Sequence, residues 1–97
     1  MKQSQIQFSL PVSIIREDKS FIAYTPALDI STAGDTLEEA KERFEELVEI
    51  FFEEIIEKGT IEQVLTDLGW KKQAKTFVPP TVISHTTETF SIPTPIN

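Results

Sequence analysis

Cysteine is absent from this sequence, and glycine and histidine are scarce. Without cysteine, the chain can form neither a disulfide framework nor a thiolate metal site. Its three glycines are each isolated at a boundary between predicted elements, which excludes a glycine-rich phosphate loop. The one histidine, His85, lies in a tail rich in Pro and Thr, where we expect a surface or packing role rather than catalysis.

Long apolar runs are missing as well. Residues 1–5 lack the hydrophobic segment of a signal peptide, and no stretch approaches the ~20 consecutive apolar residues of a transmembrane helix. We therefore expect a cytoplasmic protein that does not enter a membrane. Its 97 residues, 39% hydrophobic and 26% charged, predict a single globular domain with a modest core.

Basic residues are outnumbered, with 9 Lys and Arg against 16 Asp and Glu, which gives a net charge of -7. Phosphate binding requires clustered Lys and Arg, so direct DNA binding is not expected. We interpret the small cluster Lys71, Lys72 and Lys75 as a solvated strand edge. The acidic excess favours a basic protein partner, although net charge can also serve solubility alone.

One long element organises the rest of the chain. Residues 34–59 carry apolar side chains at the three- and four-residue spacing of an amphipathic helix. Asp35 or Thr36 can cap its start, because each is followed three residues later by a glutamate, and Gly59 can close its end. The opposite face is rich in glutamate, so burial of the apolar stripe must outweigh repulsion between carboxylates.

The second half of this helix is apolar over more than one stripe, because Ile50, Phe52 and Ile56 fall outside the main sector. Either the following helix and the C-terminal tail cover these side chains, or they form a subunit or partner interface, and both can hold in a homodimer. We expect a homo-oligomer, either a dimer or a tetramer. The candidate interface residues are Phe52, Ile56, Val82 and Ile83.

Alternating residues predict a strand over 5–14, placed at an edge or bent by Pro11. A polar turn over 16–20 leads to a second predicted strand at 21–25, and a third follows at 28–32. The short links between them predict antiparallel pairing.

Beyond the long helix, Thr60 is predicted to cap a short second helix, with Gln63 completing a capping box, and Trp70 is expected to pack at its end. Residues 71–78 are predicted to return as a fourth strand. The expected class is α+β, with an antiparallel three- to four-stranded sheet, a long crossover helix and a short second helix. From residue 79 the Pro- and Thr-rich composition predicts an extended tail over 79–97, and this tail can serve as a strand in oligomerisation.

The residue types that carry catalysis do not form a recognisable constellation. The sequence shows no nucleophile with a base, no paired carboxylates and no metal-ligand spacing, so we expect no enzymatic activity and no cofactor. An RNase H-type enzyme would need clustered acids that bind a divalent metal, whereas Asp18, Asp29, Asp35 and Asp67 are scattered over different elements.

Residues 21–40 read FIAYTPALDISTAGDTLEEA. They combine a strand ending in an aromatic residue, a Pro-x-Leu step, a short strand and a Gly-Asp-Thr-x-x-Glu-Ala helix start. This combination resembles the HicB family of bacterial and archaeal antitoxins, and the resemblance implies a partial RNase H-like fold over residues 1–78, without the nuclease carboxylates. The matching residues are Tyr24, Pro26, Leu28, Gly34, Asp35, Thr36, Glu39 and Ala40.

Members of that family bind HicA, a small basic mRNA-cleaving toxin, and cover its catalytic histidine. The resemblance therefore implies an antitoxin that masks a toxin sterically and electrostatically. The alternative is a freestanding interaction or scaffold module of the same fold. No DNA-binding motif is evident after Val78, so repression of a promoter is not predicted. The candidate partner-binding residues are Asp29, Ser31, Glu46, Glu49 and Glu53.

Overall fold

The computed structural model describes residues 8–95 and confirms the predicted α+β class. A three-stranded antiparallel sheet carries a long helix on one face, and a short second helix and a small hairpin follow. In chain order the elements of this part of the chain are β1 (Ser13–Glu17), β2 (Ser20–Thr25), β3 (Ile30–Gly34), α1 (Leu37–Glu57), α2 (Ile61–Asp67), β4 (Lys71–Gln73) and β5 (Thr76–Val78).

The register of the sheet separates its two faces. Ala23 of β2 is fully buried and packs with residues of α1, whereas the next residue, Tyr24, pairs with Ser13 of β1 and Ser31 of β3. Successive side chains of a strand point to opposite faces, so the row through Tyr24 lies away from α1. We call these the helix face and the outer face.

A close approach between backbones brings α1 onto the helix face. A Cβ atom on Gly34 would lie 2.6 Å from the backbone N of Ala40 and 3.0 Å from its Cα. Ala40 itself is fully buried and clusters with Ala23 and Phe44. Glycine in β3 and alanine in the first turns of α1 therefore let the helix begin directly against the sheet.

Both ends of α1 are set by identifiable bonds. Of the two predicted caps, Thr36 is the one used, because its Oγ1 accepts a hydrogen bond from the Glu39 N–H at 3.0 Å. The Glu39 carboxylate in turn accepts from the Asp35 N–H at 3.1 Å. Gly59 ends the helix with a φ of 69°, as predicted.

A buried cluster joins the turn between β2 and β3 to α1 and α2. Its members are Ala27, Leu28, Ile55, Leu65 and Trp70. Trp70 occupies the end of α2 as predicted, since its N–H donates to Leu65 O at 2.9 Å, the bond expected after a glycine in the left-handed conformation. No helix among residues 8–95 has both the length and the apolar character needed to span a membrane.

The prediction of a strand over 5–14 is wrong for residues 8–12 and confirmed only for residues 13 and 14. Residues 5–7 lie outside the described part of the chain, and residues 8–12 form no strand, so that pairing begins only at Ser13. Phe8 and Leu10 are partly buried because they pack on the cluster around Trp70. Their alternation therefore reflects packing of an irregular segment rather than a hydrogen-bonded ladder.

Two further predicted boundaries are shifted. The predicted turn at 16–20 is only two residues long, with Asp18 at a φ of 55°, so residues 16 and 17 belong to β1. The third strand was predicted at 28–32 but runs over Ile30–Gly34, because Leu28 is buried in the preceding turn and Asp29 has a φ of 53°.

The predicted capping box of the second helix is also wrong. Thr60 makes no side-chain bond to α2. Its N–H donates to Ile55 O at 2.9 Å, and its hydroxyl donates to the same oxygen at 3.5 Å. Thr60 is still the N-cap residue of α2, because its carbonyl accepts from the Val64 N–H at 2.9 Å, but its side chain bonds to the end of α1.

Residues 71–78 do not return to the main sheet as predicted. They fold on themselves as the separate hairpin β4–β5, with Ala74 at a φ of 54° in its turn. Lys71, Lys72 and Lys75 are exposed, as predicted. Residues 79–95 form neither helix nor strand, and all after Pro80 are exposed.

Candidate protein-binding surfaces

The exposed side of α1 carries the negative charge of the molecule. The helix contains nine glutamates against Lys41 and Arg43, a balance of -7 that equals the net charge of the whole chain. The remainder of the sequence is therefore neutral in sum. We call the central row of this side the acidic ridge, and its members are Glu42, Glu46, Glu49 and Glu53, all exposed.

The ion pairs found in residues 8–95 leave the acidic ridge out. Within α1, Glu39 pairs with Arg43 at 3.1 Å and Glu54 with Lys58 at 2.6 Å. The hydrogen bond and the charge of Lys58 lower the pKa of Glu54. Neighbours on the ridge lie three or four residues apart, where like charges repel by roughly 0.2–0.5 kcal/mol per pair. A cationic partner would relieve that repulsion.

A second polar site lies on the outer face of the sheet. The Tyr24 hydroxyl donates to Asp29 Oδ1 at 3.1 Å, and Ser31 is the direct cross-strand partner of Tyr24. The hydrogen bond to Asp29 raises the pKa of Tyr24, and desolvation and the carboxylate charge act in the same direction. The left-handed conformation of Asp29 belongs to the turn that aims its carboxylate at the tyrosine.

The five predicted partner-binding residues therefore fall into two groups. Asp29 and Ser31 lie together at the outer face, whereas Glu46, Glu49 and Glu53 lie on the side of α1 that points away from the sheet. Sheet and helix layers separate the groups. A compact partner that contacts one group does not reach the other without passing around an edge of the sheet.

The four predicted oligomer-interface residues also differ in their surroundings. Phe52 is partly buried within the chain, with its ring centroid 4.7 Å from that of Phe8 and 6.2 Å from that of Trp70. Ile56 is 54% exposed and Ile50 57%, so neither α2 nor the tail covers them. Val82 and Ile83 are exposed in the tail.

The sequence predicted a first strand placed at an edge or bent by Pro11, but not that this edge is apolar and open. β1 pairs only with β2, and its Ile14 and Ile15 are 38% and 48% exposed. The other edge, β3, is partly blocked because Arg43 Nη1 donates to Ala33 O at 2.9 Å. The adjacent isoleucines were a usable signal, since Ile14 and Ile15 expose apolar side chains on both sides of β1 and only its last two residues are charged.

Residues 8–95 contain no group of three or more His, Asp or Glu side chains arranged to hold a metal ion. Comparisons with family models, with curated proteins and with solved structures find no match to this chain. The arrangement of exposed charge and exposed apolar edges is suited to binding other proteins.

Proposed function

We propose that this protein is a HicB-like antitoxin that binds and masks a small basic mRNA-cleaving toxin of the HicA type. The observation that carries the proposal is the concentration of the entire net charge on one helix, α1, whose central exposed glutamates lie outside the ion pairs. The resemblance over residues 21–40 supplies the class of partner, and the expected place of action is the cytoplasm.

The acidic ridge has dimensions that suit a small basic protein. From Glu42 to Glu53 it extends roughly 16 Å along the helix axis, at about 1.5 Å per residue. Rigid, regularly spaced carboxylates on a helix attract and orient a basic RNA-binding face before contact. Once docked, the helix would block access of mRNA to that face. Masking of this kind requires no chemistry from the antitoxin.

The outer-face site around Tyr24 and Asp29 offers a second contact for the same partner class. A tyrosine hydroxyl beside a carboxylate presents an acceptor-rich polar tip on an apolar ring, a combination common at protein interfaces. Because the acidic ridge lies on the other side of the molecule, we assign the principal toxin contact to the ridge. The outer face could then contact a second toxin copy, or the edge of a larger toxin.

The proposal also includes self-association. The apolar surface left open at Ile56, Val82 and Ile83 favours a homo-oligomer, and Phe52 borders it. Two antitoxin copies would present two acidic ridges, and a paired toxin would then bind with higher avidity.

Co-expression tests the proposed activity. The small basic protein encoded beside this gene is expressed from an inducible promoter, alone and together with the present chain. Rescue of growth, and recovery of both proteins in one complex by affinity purification, is the expected result. Toxicity that persists beside well-expressed, folded antitoxin, with no complex recovered, contradicts the proposal. The absence of any small basic reading frame next to the gene would favour the freestanding interaction module instead.

A further inference from the structure

Two unpaired surfaces of the described chain can fit together as strands. One is the outer edge of β1, where antiparallel geometry directs the N–H and C=O of every second residue away from β2. The other is the segment 81–92, which forms no helix or strand and whose apolar side chains are open, with Phe90 79% and Ile92 78% exposed. Building on the self-association in the proposed function, we propose that residues 81–92 of a second copy add to β1 as a fourth strand.

The composition of this segment is that of a strand. Residues 81–92 contain neither proline nor glycine, and eight of the twelve are β-branched or aromatic. Prolines bound the segment at Pro79–Pro80 and at Pro93, which limits any ladder to the residues between them. Phe90 and Ile92 alternate with polar Thr89 and Ser91, a pattern that places both apolar side chains on one face.

The acceptor edge has matching features. Val12 and Ile14 are 46% and 38% exposed beside the helix face, and the donated Phe90 and Ile92 would extend the apolar layer over them. The opposite edge does not compete equally, because Arg43 occupies the Ala33 carbonyl of β3. An open, apolar edge strand is the usual template for pairing with another chain.

Charge also favours a second copy in this arrangement. Two chains of net charge -7 repel each other, but the acidic excess lies on α1 and not on the surfaces to be joined. Residues 81–92 carry one acidic group, Glu88, and β1 carries Arg16 and Glu17, which balance. A reciprocal exchange would pair two edges and two tails in one symmetric dimer and leave both acidic ridges free.

Sedimentation velocity over a concentration series tests the exchange by measuring the mass of the 97-residue chain in solution. The wild-type chain should be dimeric. Phe90→Ser with Ile92→Ser removes the donated apolar face, and Ile14→Lys with Ile15→Lys charges the acceptor edge. Each pair of substitutions should weaken dimerisation by about tenfold or more, which corresponds to ~1.4 kcal/mol. The control, Ile50→Ser, removes an exposed apolar group of α1 that is not among the candidate interface residues, and it should leave the dimer intact.

A mixing experiment separates strand donation from indirect effects. The tail variant keeps an intact edge and the edge variant keeps an intact tail, so an equimolar mixture retains one productive pairing and should recover dimer. A mixture that stays monomeric overturns the proposal, as does a monomeric wild-type chain or a dimer lost only in the α1 control. A wild-type chain that is monomeric and still neutralises the toxin would overturn the exchange alone. A wild-type chain that dimerises by this exchange but fails to neutralise the toxin would overturn only the antitoxin function.

Discussion

The indole Nε1 of Trp70 donates a hydrogen bond of 2.7 Å to the carbonyl oxygen of Ala27, although 43 residues separate the two in sequence. Ala27 belongs to the turn between β2 and β3, and Trp70 follows α2, so the bond ties the sheet to the second helix. Both residues are buried, so the Ala27 carbonyl has no direct access to solvent.

Trp70→Phe should therefore destabilise the fold by about 1–3 kcal/mol, since a buried carbonyl would be left without a donor. Urea unfolding followed by far-ultraviolet circular dichroism measures the change, because Trp70 is the only tryptophan and its fluorescence is lost with it. A loss below about 0.5 kcal/mol would show that the bond contributes little to stability.

Gly34 and Gly59 provide a matched pair of substitutions. Gly34→Ala drives a Cβ into the backbone of Ala40, and the relief of such overpacking costs roughly 1–3 kcal/mol or more. Gly59 has open space around it but a φ of 69°, so Gly59→Ala should cost only about 1 kcal/mol. Gly59→Asn should recover most of that loss, because asparagine tolerates this backbone conformation. Equal losses for the two alanine variants in thermal unfolding would contradict the close contact at Gly34.

Tyr24 is the only tyrosine, so its ionisation can be followed by ultraviolet absorbance without interference from others. The midpoint of its ionisation should lie above the ordinary value of about 10, because Asp29 accepts a hydrogen bond from the neutral phenol and repels the phenolate. Asp29→Ala should return the midpoint towards that value. A group with a raised pKa in the folded state stabilises the fold below its unfolded pKa and loses that contribution as the pH rises through the folded one. Stability should thus fall more steeply above pH ~10 in the wild type than in Asp29→Ala.

Periodicity was enough to predict α1, because its limits are marked by residues whose conformations the sequence dictates. Four residues at its start each have a defined role: Gly34 allows the close approach to the sheet, Thr36 and Glu39 cap the helix, and Ala40 is buried. The motif that carries the family resemblance is thus largely accounted for by the start of the helix. The motif is therefore stronger evidence for the fold than for the identity of the binding partner.

The N-terminal strand and the hairpin were harder to predict for separate physical reasons. Alternation at Phe8 and Leu10 is produced by packing on the aromatic cluster, which depends on residues far along the chain. In the hairpin, the residue with a positive φ is Ala74, whereas sequence patterns associate that conformation with glycine or asparagine. Local patterns do not encode either outcome.

The candidate binding surfaces were also only partly predictable from local sequence patterns. The sequence identifies exposed glutamates correctly, since residues opposite an apolar stripe remain in solvent. It does not reveal that Asp29 and Ser31 lie on the far side of the sheet from them, because that follows from which face of the sheet α1 covers. Nor does it reveal which edge of the sheet is left open.

The central claim is tested most directly by reversing the charge of the acidic ridge and measuring the affinity of that variant for the candidate toxin. The ridge variant carries Glu46→Lys, Glu49→Lys and Glu53→Lys. The control variant has the same change of net charge outside the ridge and outside the proposed dimer surfaces, through Asp35→Lys, Glu62→Lys and Asp67→Lys. Isothermal titration at several salt concentrations should show the ridge variant weakened by about tenfold or more at low salt, with a flatter salt dependence, while the control variant stays within about threefold of wild type. Equal affinity of the ridge variant and the wild type, or an equal loss in both variants, would contradict recognition through this side of α1.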